Sequence, residues 1–292
     1  MSEQTATRPW TDYAADELEQ HYNPRASVAN IESYDEARAV RNAAALASSL
    51  RTADIRYGPG HLEDLDIYAP AAGEAPYPVH VFIHGGYWRA REKENFGYIG
   101  EALANQGFLT VVINYPLCPV VDLDQVVESN RKALEWVVRN IADHGGDPER
   151  LTLSGHSAGG HLGAAIIATD WAARGLRGQP LQGAVLVSGI FDPAPAQHLS
   201  IRAEIGITPE LAERHNYAKQ PPRLDCPVHV VVGGGEPQGW IDQSADYATH
   251  MRNAGRETRL IVTGRENHFS IMEQFCEPSA DVLASILVVS GR

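Results

Sequence analysis

"LTLSGHSAGGHL", residues 151–162, changes its period part-way along. Leu151 and Leu153 follow an acid-rich turn and read as a short buried strand. Ala158 to Ala168 reads as a helix that buries Leu162, Ala165 and Ile166. Between the two the chain must turn within a few residues. Ser157 stands at the tip of that turn, flanked by Gly155 and Gly159. A side chain in that position is pushed out of the sheet into the open.

Apolar runs of the same kind recur outward from this stretch. They fall at 79–84, 109–114, 184–189, 228–234 and 259–264. Near-continuous Val, Ile and Leu suits strands buried on both faces, as in a parallel sheet. Helical segments separate them. The clearest is 122–142, with Leu123, Val126, Val127, Leu134, Val137, Val138 and Ile141 on one side. Gly145 and Gly146 then stop it. Further helices are expected over 241–254 and about 279–289. Upstream, "DIRY" (54–57) and "DLDIYAP" (64–70) alternate around turn-rich residues and read as an antiparallel hairpin at a sheet edge. Residues 31–50 read as a helix with Ile31, Tyr34, Ala37, Val40, Ala44, Ala47 and Leu50 as its apolar stripe.

The sum is an α/β fold of about eight mostly parallel strands with helices between them. Residues 1–50 are expected to form a helical extension packed on the core, and 51–292 a single domain. The stretch 189–227 breaks the rhythm. It is proline-rich and weakly helical, and is expected to be a cap or lid insertion.

Composition bounds the function. The chain has 292 residues, 43% of them hydrophobic, enough for one large core. Its formal charge of −13 repels phosphate backbones and anionic lipid, so neither nucleic acid nor a membrane is an expected partner. Cys118, Cys226 and Cys276 lie far apart and form no C-x-x-C pair. The polar, acidic N-terminus lacks the pattern of a signal peptide, and no apolar run is long enough to cross a bilayer. A cytoplasmic protein is expected. There is no H-E-x-x-H, no ligand-spaced cluster and no G-x-x-x-x-G-K-[ST], so no metal or organic cofactor is expected.

"GHSAG" (155–159) fits G-x-S-x-G, a strained strand-to-helix turn that presents its serine at the C-terminal edge of a sheet. A hydroxyl is a poor nucleophile near neutral pH. It needs a base, an acid to orient that base, and donors for the oxyanion. His268, in the loop after the last strand, is the expected base. His156 and His161 flank the serine on turn and helix, where packing or capping is the expected role. The acid should follow the preceding strand. Glu236 does, just after its glycines, and is preferred to Asp242, which is expected to begin the helix 241–254. The oxyanion donors should follow the third strand, where "HGGYW" (84–88) offers the amides of Gly86 and Tyr87. The amide of Ala158 is the other donor, and His84 is expected to fix the loop through its ring nitrogens.

"HGGYW" together with "GHSAGGHL" resembles the kynurenine formamidase (arylformamidase) branch of the α/β-hydrolase superfamily, near the hormone-sensitive-lipase-like esterases. The similarity runs from about Tyr22 to the C-terminal helix, and "HYNPR" (21–25), "LDIYAP" (65–70) and "NYPLCP" (114–119) also look like family segments. The family acid is commonly aspartate, so Glu236 is a departure. The resemblance implies an α/β-hydrolase fold and a serine hydrolase with a catalytic triad of Ser157, Glu236 and His268 and an oxyanion hole. Its substrate would be an aryl formamide, N-formylkynurenine-like, or a short-chain ester. A broad carboxylesterase is the alternative, and a non-catalytic binding protein on this fold the second.

Tyr87, Trp88, Phe191, Trp240 and Phe269 lie on loops at the expected C-terminal edge and are candidates for an aromatic-accepting pocket. A substrate carboxylate would want a cation. Arg25, Arg89, Arg202 and His198 are candidates by loop position. The expected partner is a small-molecule substrate, and a homodimer is left open.

Overall fold

The structure is a computed structural model that describes residues 8–176 and 178–292. Among the described residues eight strands build one sheet. They are β1 (Arg51–Arg56), β2 (Asp64–Tyr68), β3 (Tyr77–Ile83), β4 (Leu109–Ile113), β5 (Gly146–His156), β6 (Gly183–Val187), β7 (Val228–Gly233) and β8 (Thr258–Thr263). Their order across the sheet is β1-β2-β4-β3-β5-β6-β7-β8. The β1–β2 and β2–β4 pairs are antiparallel, and every later pair is parallel. β4, β6 and β7 are buried along their whole length, as their unbroken Val, Leu and Ile runs require. β1, at the edge, is mostly exposed.

Among the described residues there are also ten α-helices. In order they are α1 (Ala15–Tyr22), α2 (Pro24–Ser27), α3 (Glu32–Leu46), α4 (Gly97–Ala104), α5 (Leu123–Asn140), α6 (Ala158–Ile167), α7 (Arg202–Ile205), α8 (Pro209–Arg214), α9 (Gln238–Asn253) and α10 (Asp281–Val289). The core lies on both faces of the sheet. On one, Val81 and Leu153 pack with Leu134 of α5, Leu162 of α6 and Met251 of α9. On the other, Phe82 and Val112 pack with Leu103 of α4 and Leu283 of α10. α5 begins where the carboxylate of Asp122 accepts the Gln125 N–H at 2.9 Å. The chain then leaves α5 through a short 3-10 turn that ends at Gly145, whose φ of 85° suits glycine.

Three expectations change. The apolar stripe drawn along residues 31–50 is not the buried face of α3, which ends at Leu46: Val40 is 81% exposed and Leu50, beyond the helix, 42%, whereas Arg38 and Ala45 are buried. An alanine-rich helix has little apolar asymmetry, and here polar bonds choose the face. Arg38 donates to Glu273 at 2.7 Å and to the Phe269 carbonyl at 2.6 Å. Helix α4 was not foreseen. A Cβ at its Gly100 would lie 2.4 Å from the Tyr68 ring, so close packing requires glycine there. Finally, α9 begins at Gln238 rather than 241, which sets Asp242 a turn inside the helix instead of at its start.

Two buried histidines lie on β3 and directly after it. His80 bonds Thr152 Oγ1 at 2.9 Å and Ser154 Oγ at 2.7 Å, and burial pushes its pKa down to about 3. Burial pushes His84, which stacks on Tyr115 just past the strand, down to about 4. Both rings must stay neutral in the fold but bind protons in the unfolded chain below about pH 6.5. Stability is therefore full above that pH and falls as pH drops toward the folded values, by about 1.4 kcal/mol per pH unit for each ring. Denaturant unfolding at pH 7 and pH 5 checks this: the free energy is expected to be a few kcal/mol smaller at pH 5.

Candidate active site

Ser157 joins β5 to α6 with φ 57° and ψ −119°. Side chains rarely adopt such a backbone, and the surrounding glycines make it possible. A Cβ at Gly155 would lie 2.2 Å from the Gly159 carbonyl oxygen, and one at Gly159 would lie 2.0 Å from that of Ile83. The Ser157 N–H donates to the Val187 carbonyl at 2.9 Å, which ties the turn to the next strand.

The serine opens a continuous hydrogen-bonded chain. His268 Nε2 lies 2.9 Å from Ser157 Oγ. His268 Nδ1 lies 2.7 Å from Glu236 Oε2. The other carboxylate oxygen, Oε1, accepts the Gly233 N–H at 2.9 Å and the Ser188 hydroxyl. All three side chains are buried. Asp242, the alternative acid, instead accepts from Gln238 Nε2 at 2.8 Å.

Two neighbours support the imidazole. Burial, and then the charge of His268, hold the pKa of His156 well below the ordinary histidine range, so its ring is neutral. Its Nε2–H donates to the His268 carbonyl at 2.9 Å. The Trp240 ring packs 4.2 Å from the His268 ring.

After β3 the chain passes through three consecutive residues of positive φ: Gly86 at 125°, Tyr87 at 54° and Trp88 at 59°. A Cβ at Gly86 would lie 2.0 Å from the Ala90 carbonyl oxygen. Neutral His84 donates from Nδ1 to the Gly85 carbonyl at 2.7 Å, and the Tyr115 hydroxyl holds the His84 carbonyl at 2.8 Å. Ala158 is the first residue of α6, so its amide belongs to the positive end of that helix.

Ser157, His268, His156, Gly86 and Tyr87 share a cavity of about 300 Å³. The N-terminal helices supply much of its lining, through Pro24 and Arg25 of α2 and Asp35, Arg38, Ala39 and Asn42 of α3. From the 189–227 stretch, among the described residues, only Ile201 lines it.

The aromatic candidates divide. Tyr87 and Phe269 line the cavity, but Trp88, Phe191 and Trp240 do not. Trp88 is fully buried and donates from Nε1 to His161 Nδ1 at 3.2 Å. Phe191 stacks on Tyr247 at 4.0 Å, and Trp240 backs the histidine. Each aromatic face is used in packing. Among the cation candidates, Arg25 and Arg89 line the cavity, whereas Arg202 and His198 do not; His198 packs on Trp10. Sequence reasoning missed Arg38, Arg91 and Ser188. For Ser188 a signal existed, since it directly follows β6 at the same sheet edge as Ser157. Arg38 comes to the cavity through tertiary packing alone, whereas Arg91 follows Arg89 on the loop after β3. Among the described residues no three His, Cys, Asp or Glu side chains gather as a metal site.

The BD-FAE family matches residues 65–183. A kynurenine formamidase of Danio rerio is 28% identical over 97% of this chain and 99% of that protein. The chain has the α/β-hydrolase fold, and its sequence is similar to the kynurenine-formamidase-like branch of that superfamily. The esterase LipQ of Mycobacterium tuberculosis is 30% identical over 71% of this chain and 54% of that protein. An esterase of Pyrobaculum calidifontis shares the fold, with a TM-score of 0.65 and 20% identity over 98% of this chain and 96% of that one. This α/β-hydrolase is an enzyme of the serine-hydrolase type, a formamidase or carboxylesterase.

Proposed function

We propose that this enzyme cleaves an aryl formamide, N-formylkynurenine-like, through an acyl-enzyme on Ser157. The observation that carries the reading is the unbroken chain from Ser157 Oγ through His268 to Glu236 at the wall of a cavity. His268 Nε2 takes the hydroxyl proton as Oγ bonds the formyl carbon. Glu236 holds the imidazole with its proton on Nδ1 and stabilises the imidazolium that forms. The amides of Gly86, Tyr87 and Ala158 receive the oxyanion. His268 then passes its proton to the leaving nitrogen, the C–N bond breaks, and the amine departs. Water attacks the formyl-serine with His268 again as base, and formate and free Ser157 result.

Full-length similarity to a kynurenine formamidase favours the formamide. Similarity to LipQ favours the second reading, a carboxylesterase acting on short acyl esters. Unpaired Cys118, Cys226 and Cys276 support a reducing, cytoplasmic setting, and no helix among the described residues is long and apolar enough to cross a membrane. Steady-state hydrolysis of N-formylkynurenine beside 4-nitrophenyl acetate tests the reading. Formamide turnover at or above ester turnover is expected. Ester cleavage alone would replace the first reading with the second.

A further inference from the structure

We propose that helix α3 braces the loop of His268 against the oxyanion loop, and that Arg38 is the positioning residue through which it holds His268. The proposal rests on the serine-hydrolase reading of Ser157 and gives the N-terminal helices a part in the reaction.

The loop after β8 is held from outside at three successive residues. Asn267 Nδ2 donates to the Tyr34 hydroxyl at 2.8 Å. The His268 carbonyl accepts from His156 at 2.9 Å. The Phe269 carbonyl accepts from Arg38 Nη2 at 2.6 Å. Tyr34 and Arg38 stand one turn apart on α3, so two of the three anchors belong to one helix. The Tyr34 ring also stacks on Phe269 at 6.0 Å. Inside the loop, Asn267 Oδ1 accepts the Phe269 and Ser270 N–H groups, each at 2.9 Å, so the side chain that Tyr34 holds also fixes the turn at His268. Arg38 makes the one charge-assisted bond of the three, the stronger kind. It is only 7% exposed, a costly place for a guanidinium unless its donors are used. Here Nη2 goes to Phe269 and Nε to Glu273 at 2.7 Å, both just downstream of His268.

The same helix reaches the other half of the machinery. Asp35 accepts from Arg91 at 2.6 Å. Asn42 donates to the Glu94 carbonyl at 2.6 Å and accepts the Tyr98 N–H at 3.2 Å. Arg91 has a φ of 75°, a backbone that a side chain rarely adopts and that its neighbours must hold. Its Cγ lies 3.2 Å from where a Cβ on Gly86 would stand, so this segment backs the residue expected to give an oxyanion amide. One helix is therefore bonded both to the loop of the base and to the segment behind the oxyanion loop. Acyl transfer needs the two at one separation, because His268 Nε2 must keep its 2.9 Å to Ser157 Oγ while the amides meet the oxyanion.

The test is Arg38→Met, which keeps a long unbranched side chain on the helix and removes every donor. Turnover of 4-nitrophenyl acetate is measured per active site, the sites being counted by complete labelling with an alkyl fluorophosphonate. The expected result is a kcat about 10- to 100-fold lower with KM within about twofold of the parent's, and labelling slowed by a similar factor. Arg41→Gln removes a second partner of Glu273 but leaves the Arg38 bonds in place, and is expected to match the parent. An unchanged kcat per site in Arg38→Met overturns the proposal, including the case in which fewer sites label but each turns over normally, since that is a purely structural role. A loss confined to KM also overturns it, because Arg38 would then be a substrate contact. If Arg38→Met does not fold, Tyr34→Phe decides. It removes only the acceptor of Asn267, lies outside the cavity lining, and is expected to lower kcat about three- to tenfold at unchanged KM. The parent's kcat in that variant overturns the proposal. Failure of the serine-hydrolase reading shows separately, as undiminished turnover by Ser157→Ala.

Discussion

Ser157→Ala is expected to lower kcat by about 10⁵- to 10⁶-fold while the protein stays folded. With the hydroxyl as the proposed nucleophile, its removal ends the acyl-enzyme route, and only binding and oxyanion stabilisation remain. The fold should tolerate the change. Alanine carries the same Cβ into the same backbone as serine, at φ 57°. The Ser157 N–H bond to Val187 is a backbone bond and survives. Thermal unfolding near the parent's midpoint, together with lost turnover, is the expected pair of results. Lost turnover with a collapsed midpoint would show a structural role instead.

Glu236→Gln is expected to lower kcat by about 10⁴-fold, an effect of the wrong tautomer. Oε1 of Glu236 faces two donors, the Gly233 N–H and the Ser188 hydroxyl. Glutamine must therefore turn its carbonyl oxygen to that side, which places its NH₂ against His268 Nδ1. Nδ1 then becomes an acceptor and the ring proton moves to Nε2, where it faces Ser157 Oγ. Such an imidazole cannot take the hydroxyl proton. Asp242→Asn should leave turnover near the parent's, because Asp242 bonds Gln238 and not the imidazole. Kinetics of the two variants side by side check the assignment. A large loss from Asp242→Asn with a small one from Glu236→Gln would reverse it.

Much of this arrangement was legible because it is local. Gly155, Ser157 and Gly159 define a turn whose steric demands sit within a few residues, and the Val- and Ile-rich runs announce buried strands. Glu236 and His268 were found by their places after β7 and β8, at the edge where Ser157 emerges. What depends on contacts between distant segments was not legible. Arg38 lies in a helix whose apolar pattern pointed elsewhere, and only its bonds to Glu273 and Phe269 turn it inward. Trp88 and Phe191 are loop aromatics like Tyr87 and Phe269, and Trp240 lies in the first turn of α9, yet His161, Tyr247 and His268 claim their rings. Nor does the pattern of residues 189–227 reveal that α2 and α3 supply so much of the cavity wall.

Covalent capture of the nucleophile tests the central claim most directly. An alkyl fluorophosphonate exchanges its P–F bond for an Oγ–P bond and releases fluoride. Incubation with the folded enzyme, followed by peptide mass spectrometry, should find one phosphonyl group on Ser157, with hydrolysis lost in step with labelling. Full loss of activity with Ser157 unmodified, or labelling of another residue, would contradict the account.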